Sequence, residues 1–223
     1  MSAAGPFLAE LHCHSSFSRD CAVSLPKIIE LCGRRGLKII ALTDHNEIAG
    51  AQELQAMAPD WLTVIVGEEI ATAEGDLIGL FLKERIKPRL PIEETIAEIK
   101  QQGGLVLLPH PFDRIRREAV GKVVLEHIKN RLDGLEVYNS RCLWPADNRL
   151  ASSFAARHNL TPFVGSDAHT VGEYGRSVVS FKSRPTTAAE FKAALASASL
   201  IKKWSNPLVH GRTFVVKRVK RRR

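Results

Sequence analysis

Leu37-Lys38-Ile39-Ile40-Ala41-Leu42-Thr43-Asp44-His45-Asn46 is an apolar run that ends in a carboxylate beside an imidazole. A helix-like segment closed by Gly36 precedes it and another, Glu47–Met57, follows, so it reads as a buried strand inside a β–α repeat. Three further strand-like segments end in the same way. Phe7–His14 carries Glu10-Leu11-His12-Cys13-His14, Leu105–Leu108 runs into Pro109-His110-Pro111, and Pro162–Gly165 runs into Ser166-Asp167-Ala168-His169. Strand ends on one rim of a barrel or sheet are where ligands far apart in sequence can converge on a cation. Four such ends, with Glu68-Glu69 after the run Leu62–Gly67, predict a site for more than one metal ion.

Working outward, strand-like and helix-like segments alternate. Ser24 suits the N-cap of a helix over Leu25–Arg35, with Pro26 in its first turn and Gly36 as its stop. Leu77–Leu82 is a second apolar run after Leu62–Gly67, and Pro91–Gln102 has Ile92, Thr95, Ile96 and Ile99 on one helical face. A helix over Ala119–Lys129 precedes the strand Gly134–Tyr138, and one over Ala146–Arg157 precedes Pro162–Gly165. Thr187-Ala188-Ala189-Glu190 forms a capping box for a last helix reaching about Ala198. Six or seven such repeats predict a single α/β domain built on a mostly parallel barrel or sheet, with function at the carboxyl rim of its strands.

The chain has 223 residues, of which 44% are hydrophobic, enough for one domain with a substantial core. No apolar run approaches the ~20 residues of a membrane span. The amino terminus lacks the basic start and apolar core of a secretory signal, and Cys13, Cys21, Cys32 and Cys142 form no Cys-x-x-Cys pair. These features predict a cytoplasmic protein with reduced thiols. The net charge is +8, but residues 212–223 hold seven Lys and Arg and no acid. The body, residues 1–211, is therefore nearly neutral and the basicity is a tail. Such a block can attract phosphate backbones; the simpler reading, preferred here, is a solvated terminus or an edge strand over Thr213–Val216 ending in charges.

Side chains alternate along a strand, so His12 and His14 share one face, roughly 6–7 Å apart, and both imidazoles can reach one ion. Asp167 and His169 repeat the pattern. Asp44 suits a helix N-cap, but beside the other clusters His45 reads as a ligand with Asp44 orienting its ring. His110 sits at a corner fixed by two prolines. Only one of Glu68 and Glu69 can face the site, and alternation alone does not choose between them. Asp20 and Asp76 are candidate ligands or turn carboxylates.

His12-x-His14 followed by Asp20, Thr43-Asp44-His45-Asn46, Gly67-Glu68-Glu69, His110-Pro111 and Gly165-Ser166-Asp167-Ala168-His169 together resemble the motifs of the PHP (polymerase and histidinol phosphatase) family of metal-dependent phosphoesterases. The resemblance implies a distorted (β/α)7 barrel with a two- or three-metal site at its carboxyl rim. It assigns His12, His14, Glu69 and Asp167 to a first ion, Glu69 and His110 to a second, and Asp20, His45 and His169 to a third. It also decides the glutamate pair in favour of Glu69. Asp76 stands where many relatives carry a histidine, and Asp20 where some do. These departures make Mn²⁺ or Mg²⁺ plausible beside Zn²⁺ or Fe²⁺. Asn139, in Glu136-Val137-Tyr138-Asn139-Ser140-Arg141, is expected to support the ligands from behind.

The expected chemistry is hydrolysis of a phosphate ester, a phosphomonoester or nucleotide, by a hydroxide bridging two ions. Asp167, His169 or a metal-bound water is expected to hand a proton to the leaving group. Among the loop arginines Arg19, Arg114, Arg141 and Arg176, Arg141 and Arg176 are the expected phosphate ligands, because a guanidinium matches phosphate bidentately. Two alternatives stand beside this reading: a 5′-3′ exonuclease on short RNA or DNA, and a non-catalytic, metal-stabilised binding module. The expected partner is a small phosphorylated molecule, nucleotide or short oligonucleotide, with no membrane.

Overall fold

The computed structural model describes residues 6–220. Its strands are Phe7–Glu10 (β1), Leu37–Leu42 (β2), Thr63–Ala71 (β3), Asp76–Leu80 (β4), Leu105–Leu108 (β5), Gly134–Asn139 (β6), Pro162–Gly165 (β7), Val178–Phe181 (β8) and Ser199–Ile201 (β9). Its α-helices are Leu25–Arg35 (α1), Ala49–Met57 (α2), Ile92–Gln101 (α3), Gly121–Ile128 (α4), Pro145–Arg157 (α5), Ala188–Leu195 (α6) and Leu208–Lys220 (α7). The strands form one sheet in the order β7-β6-β5-β4-β3-β2-β1-β8-β9.

The sheet curls until its ends nearly meet. A parallel bridge joins Cys13 to Ala168, beyond the ends of β1 and β7, and the Asp167 and His14 amides donate across it to the His12 and Ala168 carbonyls. The two segments that carry paired ligand candidates therefore form the closing seam of the barrel.

The chain forms the expected single-domain α/β barrel, nearly closed, but the nine strands among the described residues do not follow a simple (β/α)7 count. β1, β2 and β3 run parallel, as do β5, β6 and β7, but β4 is antiparallel to both neighbours, and β8 and β9 add two antiparallel pairings beyond β1. The reason lies in the link Thr72-Ala73-Glu74-Gly75 between β3 and β4. Four residues make a hairpin, whereas a parallel return needs a crossover of about a dozen.

Helices cover the outside because each has one apolar stripe. In α3 the buried residues are Ile92, Thr95, Ile96 and Ile99, and in α1 they are Leu25, Ile28, Leu31 and Cys32. α1 ends where Gly36 adopts φ 69°, a left-handed conformation that a side chain would strain. The capping box at α6 is half formed. Thr187 Oγ1 accepts from the Glu190 amide, while the Glu190 carboxylate accepts from Thr186 instead.

The largest departure is at the carboxyl terminus. The expected edge strand over Thr213–Val216 lies inside α7, and the expected boundary between residues 211 and 212 falls within the same helix. Residues 221–223 of the basic tail lie outside the described residues. Val209, His210, Thr213, Val216 and Lys220 are its partly buried positions, at helical spacing, so contact with the body selects the helix over the β-branched local pattern. Among the described residues, no helix is long and apolar enough to cross a membrane.

Candidate metal centre

β1, β2, β3, β5 and β7 deliver their carboxyl ends to one side of the barrel. β3 runs straight through the glutamate pair, so alternation sends the two side chains apart. Glu68 Oε2 accepts from the Ile86 amide, while Glu69 enters the histidine cluster. Glu69 Oε1 lies 2.9 Å from His110 Nε2 and 3.4 Å from His12 Nε2; its Oε2 lies 3.0 Å from His45 Nδ1 and 3.2 Å from His14 Nε2. Asp167 Oδ1 is 3.3 Å from His14 Nε2 and 3.7 Å from His12 Nε2. Asp20 reaches His169 Nε2 at 3.4 Å and His45 Nε2 at 3.6 Å.

Three sets of side chains bring their ligand atoms within 4.8 Å of one another: His12, Glu69 and His110; His12, His14 and Asp167; His14, His45 and His169. The sets share His12 and His14, which therefore lie between neighbouring positions. Six buried atoms of this cluster have no hydrogen-bond partner: His12 Nε2, His14 Nε2, Asp20 Oδ1, Glu69 Oε2, His110 Nδ1 and Asp167 Oδ1. Unsatisfied buried polar atoms are costly, and four of these, His12 Nε2, His14 Nε2, Glu69 Oε2 and Asp167 Oδ1, stand close against one another. Imidazole nitrogens mixed with carboxylate oxygens suit first-row divalent ions, so the residues fit the metals that the motifs imply.

The ligands are held from behind. Glu136 Oε1 lies 3.0 Å from His12 Nδ1, and its Oε2 accepts from the His110 amide and from Asn139 Nδ2. A carboxylate on Nδ1 fixes the proton there and leaves Nε2 free for an ion. Asp44 accepts from the Ser15 amide, Ser15 Oγ and Ser18 Oγ, and Ser18 Oγ stands 3.2 Å from His14 Nδ1. The Ser18 proton is committed to Asp44, so Ser18 accepts from His14, again freeing Nε2. Asp44 thus braces His14 through Ser18, and not the neighbouring His45 ring as expected. His110 and Asp167 have positive φ (29° and 52°), a conformation costing roughly 1–3 kcal/mol at a non-glycine residue.

Charges in the cluster depend on one another. Burial pulls the His12 pKa down, yet Glu136, Asp167 and Glu69 outweigh it and hold it well above the ordinary value. Burial opposes ionisation of Asp167, but Arg116 and His12 keep its pKa well below the usual carboxylate range. Burial and the Glu69 charge push Asp76 up to about 8. Burial, with His14 and Arg141 alongside, lowers His169 to about 3.

The structure brings His12, His14, Asp20, His45, Glu69, His110, Asp167 and His169 together, with Asn139 donating to Asp167 Oδ2. Asp76 borders the same cavity but belongs to none of the three ligand sets. Arg141 is buried, with Nη1 2.5 Å from His169 Nδ1. Arg176 does not reach the cluster: its guanidinium donates to the Gly172 and Trp204 carbonyls. Arg114 is engaged by Asp147. Arg116 instead reaches Asp167 directly, and also holds Asp113. Sequence reading overlooked Arg116, Glu136 and Ser18. A lone acid in the apolar strand Gly134–Tyr138 was a usable signal, since buried charges are rarely unpaired; nothing local separates Arg116 from Arg114 or Arg117.

Asp20, His45 and His169 of the cluster line a cavity of about 870 Å³, whose wall carries both cations, Arg116, Arg141 and Lys217 among them, and the acids Glu74, Asp76, Asp113 and Glu118. The chain belongs to the PHP family: the PHP domain matches residues 10–140, and the PHP-associated region matches 145–200. An uncharacterized protein of Methanocaldococcus jannaschii is 35% identical over 176 residues, 77% of this chain and 69% of that one. A 5′-3′ exoribonuclease of Haemophilus influenzae is 28% identical over 53% of this chain and 47% of its own length. The fold is shared with a two-domain protein from Bacteroides vulgatus described as containing a predicted PHP-like metal-dependent phosphoesterase (TM-score 0.73, 20% identity, 96% of this chain and 71% of that chain). It is shared also with a lesion-specific endonuclease of Pyrococcus furiosus (TM-score 0.65, 16% identity, 87% and 57%).

Proposed function

We propose that the protein hydrolyses phosphate esters with divalent ions held by His12, His14, Asp20, His45, Glu69, His110, Asp167 and His169. The observation that carries this reading is the group of unpartnered buried imidazole and carboxylate atoms packed together beside a cavity that Asp20, His45 and His169 line. Bound there, divalent ions supply an acidified water and neutralise charge on phosphoryl oxygens. The chain's own groups do the rest. Arg116 and Arg141 are fixed cations beside Asp167 and His169, placed to take phosphoryl oxygens without reorganising. Asp113, Glu173 and Thr213 hold those two guanidiniums in place. Glu136 and the Ser18–Asp44 pair keep the His12 and His14 protons on Nδ1. Asp167 Oδ1 and His169 Nε2 face the cluster as ligand atoms; with Asp167 ionised and His169 neutral near pH 7, the proton for the leaving oxygen is assigned to water and not, as expected from sequence, to either side chain.

The preferred substrate is a small phosphomonoester or nucleotide, which a cavity of this size accommodates. Cleavage of short RNA from its 5′ end is the second reading, favoured by the relative named a 5′-3′ exoribonuclease. Metal analysis of the purified protein, with a phosphoester panel assayed under Mn²⁺, Zn²⁺ and Mg²⁺, tests the proposal. Turnover of mononucleotides in preference to 5′-phosphorylated oligomers supports the first reading, and the reverse supports the second. Bound metal with no turnover of any phosphoester would leave a metal-stabilised binding module instead.

A further inference from the structure

We propose that α7 is a movable wall of the cavity and that its Lys217 is a substrate-phosphate ligand, so that the site takes a phosphate at the end of a molecule. The inference rests on the phosphoester reading above and deepens it. His210, Thr213 and Lys217 of α7 line the cavity together with the β3–β4 turn and the loop bearing Arg116, where Glu74, Asp76, Asp113 and Glu118 are the acids that share it. The helix carries Arg212, Lys217, Arg218 and Lys220 and no acid, so nothing on its own element offsets the Lys217 charge.

α7 is tied to the site by polar contacts. Thr213 Oγ1 accepts from Arg141 Nη2 at 2.8 Å, the same guanidinium that contacts His169. His210 Nε2 lies 3.1 Å from the Arg141 carbonyl oxygen. Lys220 Nζ donates to the Ser16 and Ser18 carbonyls, in the loop that braces His14.

The same helix is weakly packed. None of its 13 residues is fully buried, and an apolar groove of about 770 Å³ opens on its other side, against Ala22–Ser24 and Thr170–Gly172. An element held mainly by polar anchors, with only Val209 and Val216 partly buried among its apolar residues, lies at the low-stability end of a fold. It can part from the body to admit substrate and close with Lys217 over it. Closed, it blocks one side of the cavity, so a strand continuing in both directions from the cleaved bond has no exit there. Loss of Lys217 removes one charge-assisted contact to phosphate.

Two measurements test this. Inorganic phosphate is titrated calorimetrically into the Mn²⁺-loaded protein, which needs no turnover. Lys217→Ala is expected to weaken phosphate binding about tenfold, with Lys217→Arg restoring most of it. Arg218→Ala, whose side chain packs over Phe214, is the charge control and is expected to bind as the parent does. Unchanged affinity in Lys217→Ala, or equal weakening in Arg218→Ala, would overturn the phosphate role.

In the second measurement, a linear 5′-phosphorylated oligonucleotide is compared with its circular form, which has no end. The full chain is expected to cleave only the linear form, and a chain ending at Asn206 both. Cleavage of circles by the full chain would overturn the end-selecting wall. If the full chain cleaves no phosphoester at all, the phosphoesterase reading fails, while the titration still judges Lys217. Should the shortened chain not fold, the full-chain comparison and the point variants decide.

Discussion

Glu136 Oε1, in β6, lies 3.0 Å from His12 Nδ1, just past the end of β1, both side chains being fully buried and 124 positions apart. The pair fixes the imidazole so that its other nitrogen faces Glu69 and Asp167. Because Glu136 Oε2 also accepts from the His110 amide, one carboxylate sets the position of two ligand-bearing strand ends.

Replacing Glu136 by Gln is therefore expected to lower metal affinity about 10–100-fold while leaving the far-ultraviolet circular dichroism unchanged. Calorimetric titration with Mn²⁺ or Zn²⁺ measures it. Affinity equal to the parent's would show that Glu136 does not position His12.

His12→Ala removes a side chain shared by two of the three ligand sets. Bound metal and phosphoester turnover should both vanish with the fold retained. Ligand binding stabilises the native state by RT ln(1 + [L]/Kd), so Mn²⁺ at a hundredfold excess over Kd should raise parent stability by about 2.7 kcal/mol. Denaturant melts with and without metal read this directly, and the increment should be lost in the variant.

Gly165 ends β7 where the chain passes against His12 and Glu136. A Cβ there would sit 2.6 Å from His12 Cβ and collide with the Glu136 carboxylate, both held by the cluster. Gly165→Ala is expected to destabilise the protein by about 1–3 kcal/mol and to weaken metal binding with it. A melt indistinguishable from the parent's would mean that this seam yields more readily than its contacts suggest.

Asp133, before β6, ties Lys100 and Lys192 and accepts from the Val106 amide. Burial opposes its ionisation, but the two lysines and that amide outweigh it and lower its pKa below 3.8. A carboxyl depressed in the folded state contributes its stability above its unfolded pKa and loses it as pH falls through the folded pKa. Asp133→Asn should cost about 1–3 kcal/mol at neutral pH and flatten the acid limb of the stability profile. An unchanged acid limb in the variant would assign that limb to other carboxylates.

Much of the local structure was legible. α1, β5 and β7 have the ranges read from sequence, because an apolar stripe, a glycine stop or a short apolar run is a local instruction. β4 was legible as an apolar run, read as Leu77–Leu82, but not in direction, since direction depends on the hairpin before it. The helix over 208–220 was not legible, because Thr213-Phe214-Val215-Val216 has the composition of a strand and becomes a helix by contact with the barrel.

The site divides along the same line. By itself the sequence determined that imidazoles and carboxylates stand at successive strand ends, since residue type and spacing along one strand are local properties. Only the tertiary structure decided which partners meet: Glu69 and not Glu68 in the cluster, Asp44 on Ser18 and His14, Arg116 on Asp167 while Arg176 turns away, and α7 over Arg141. These choices belong to side chains brought together from distant positions by barrel closure. Their energies depend on distance and burial, which no stretch of chain encodes alone.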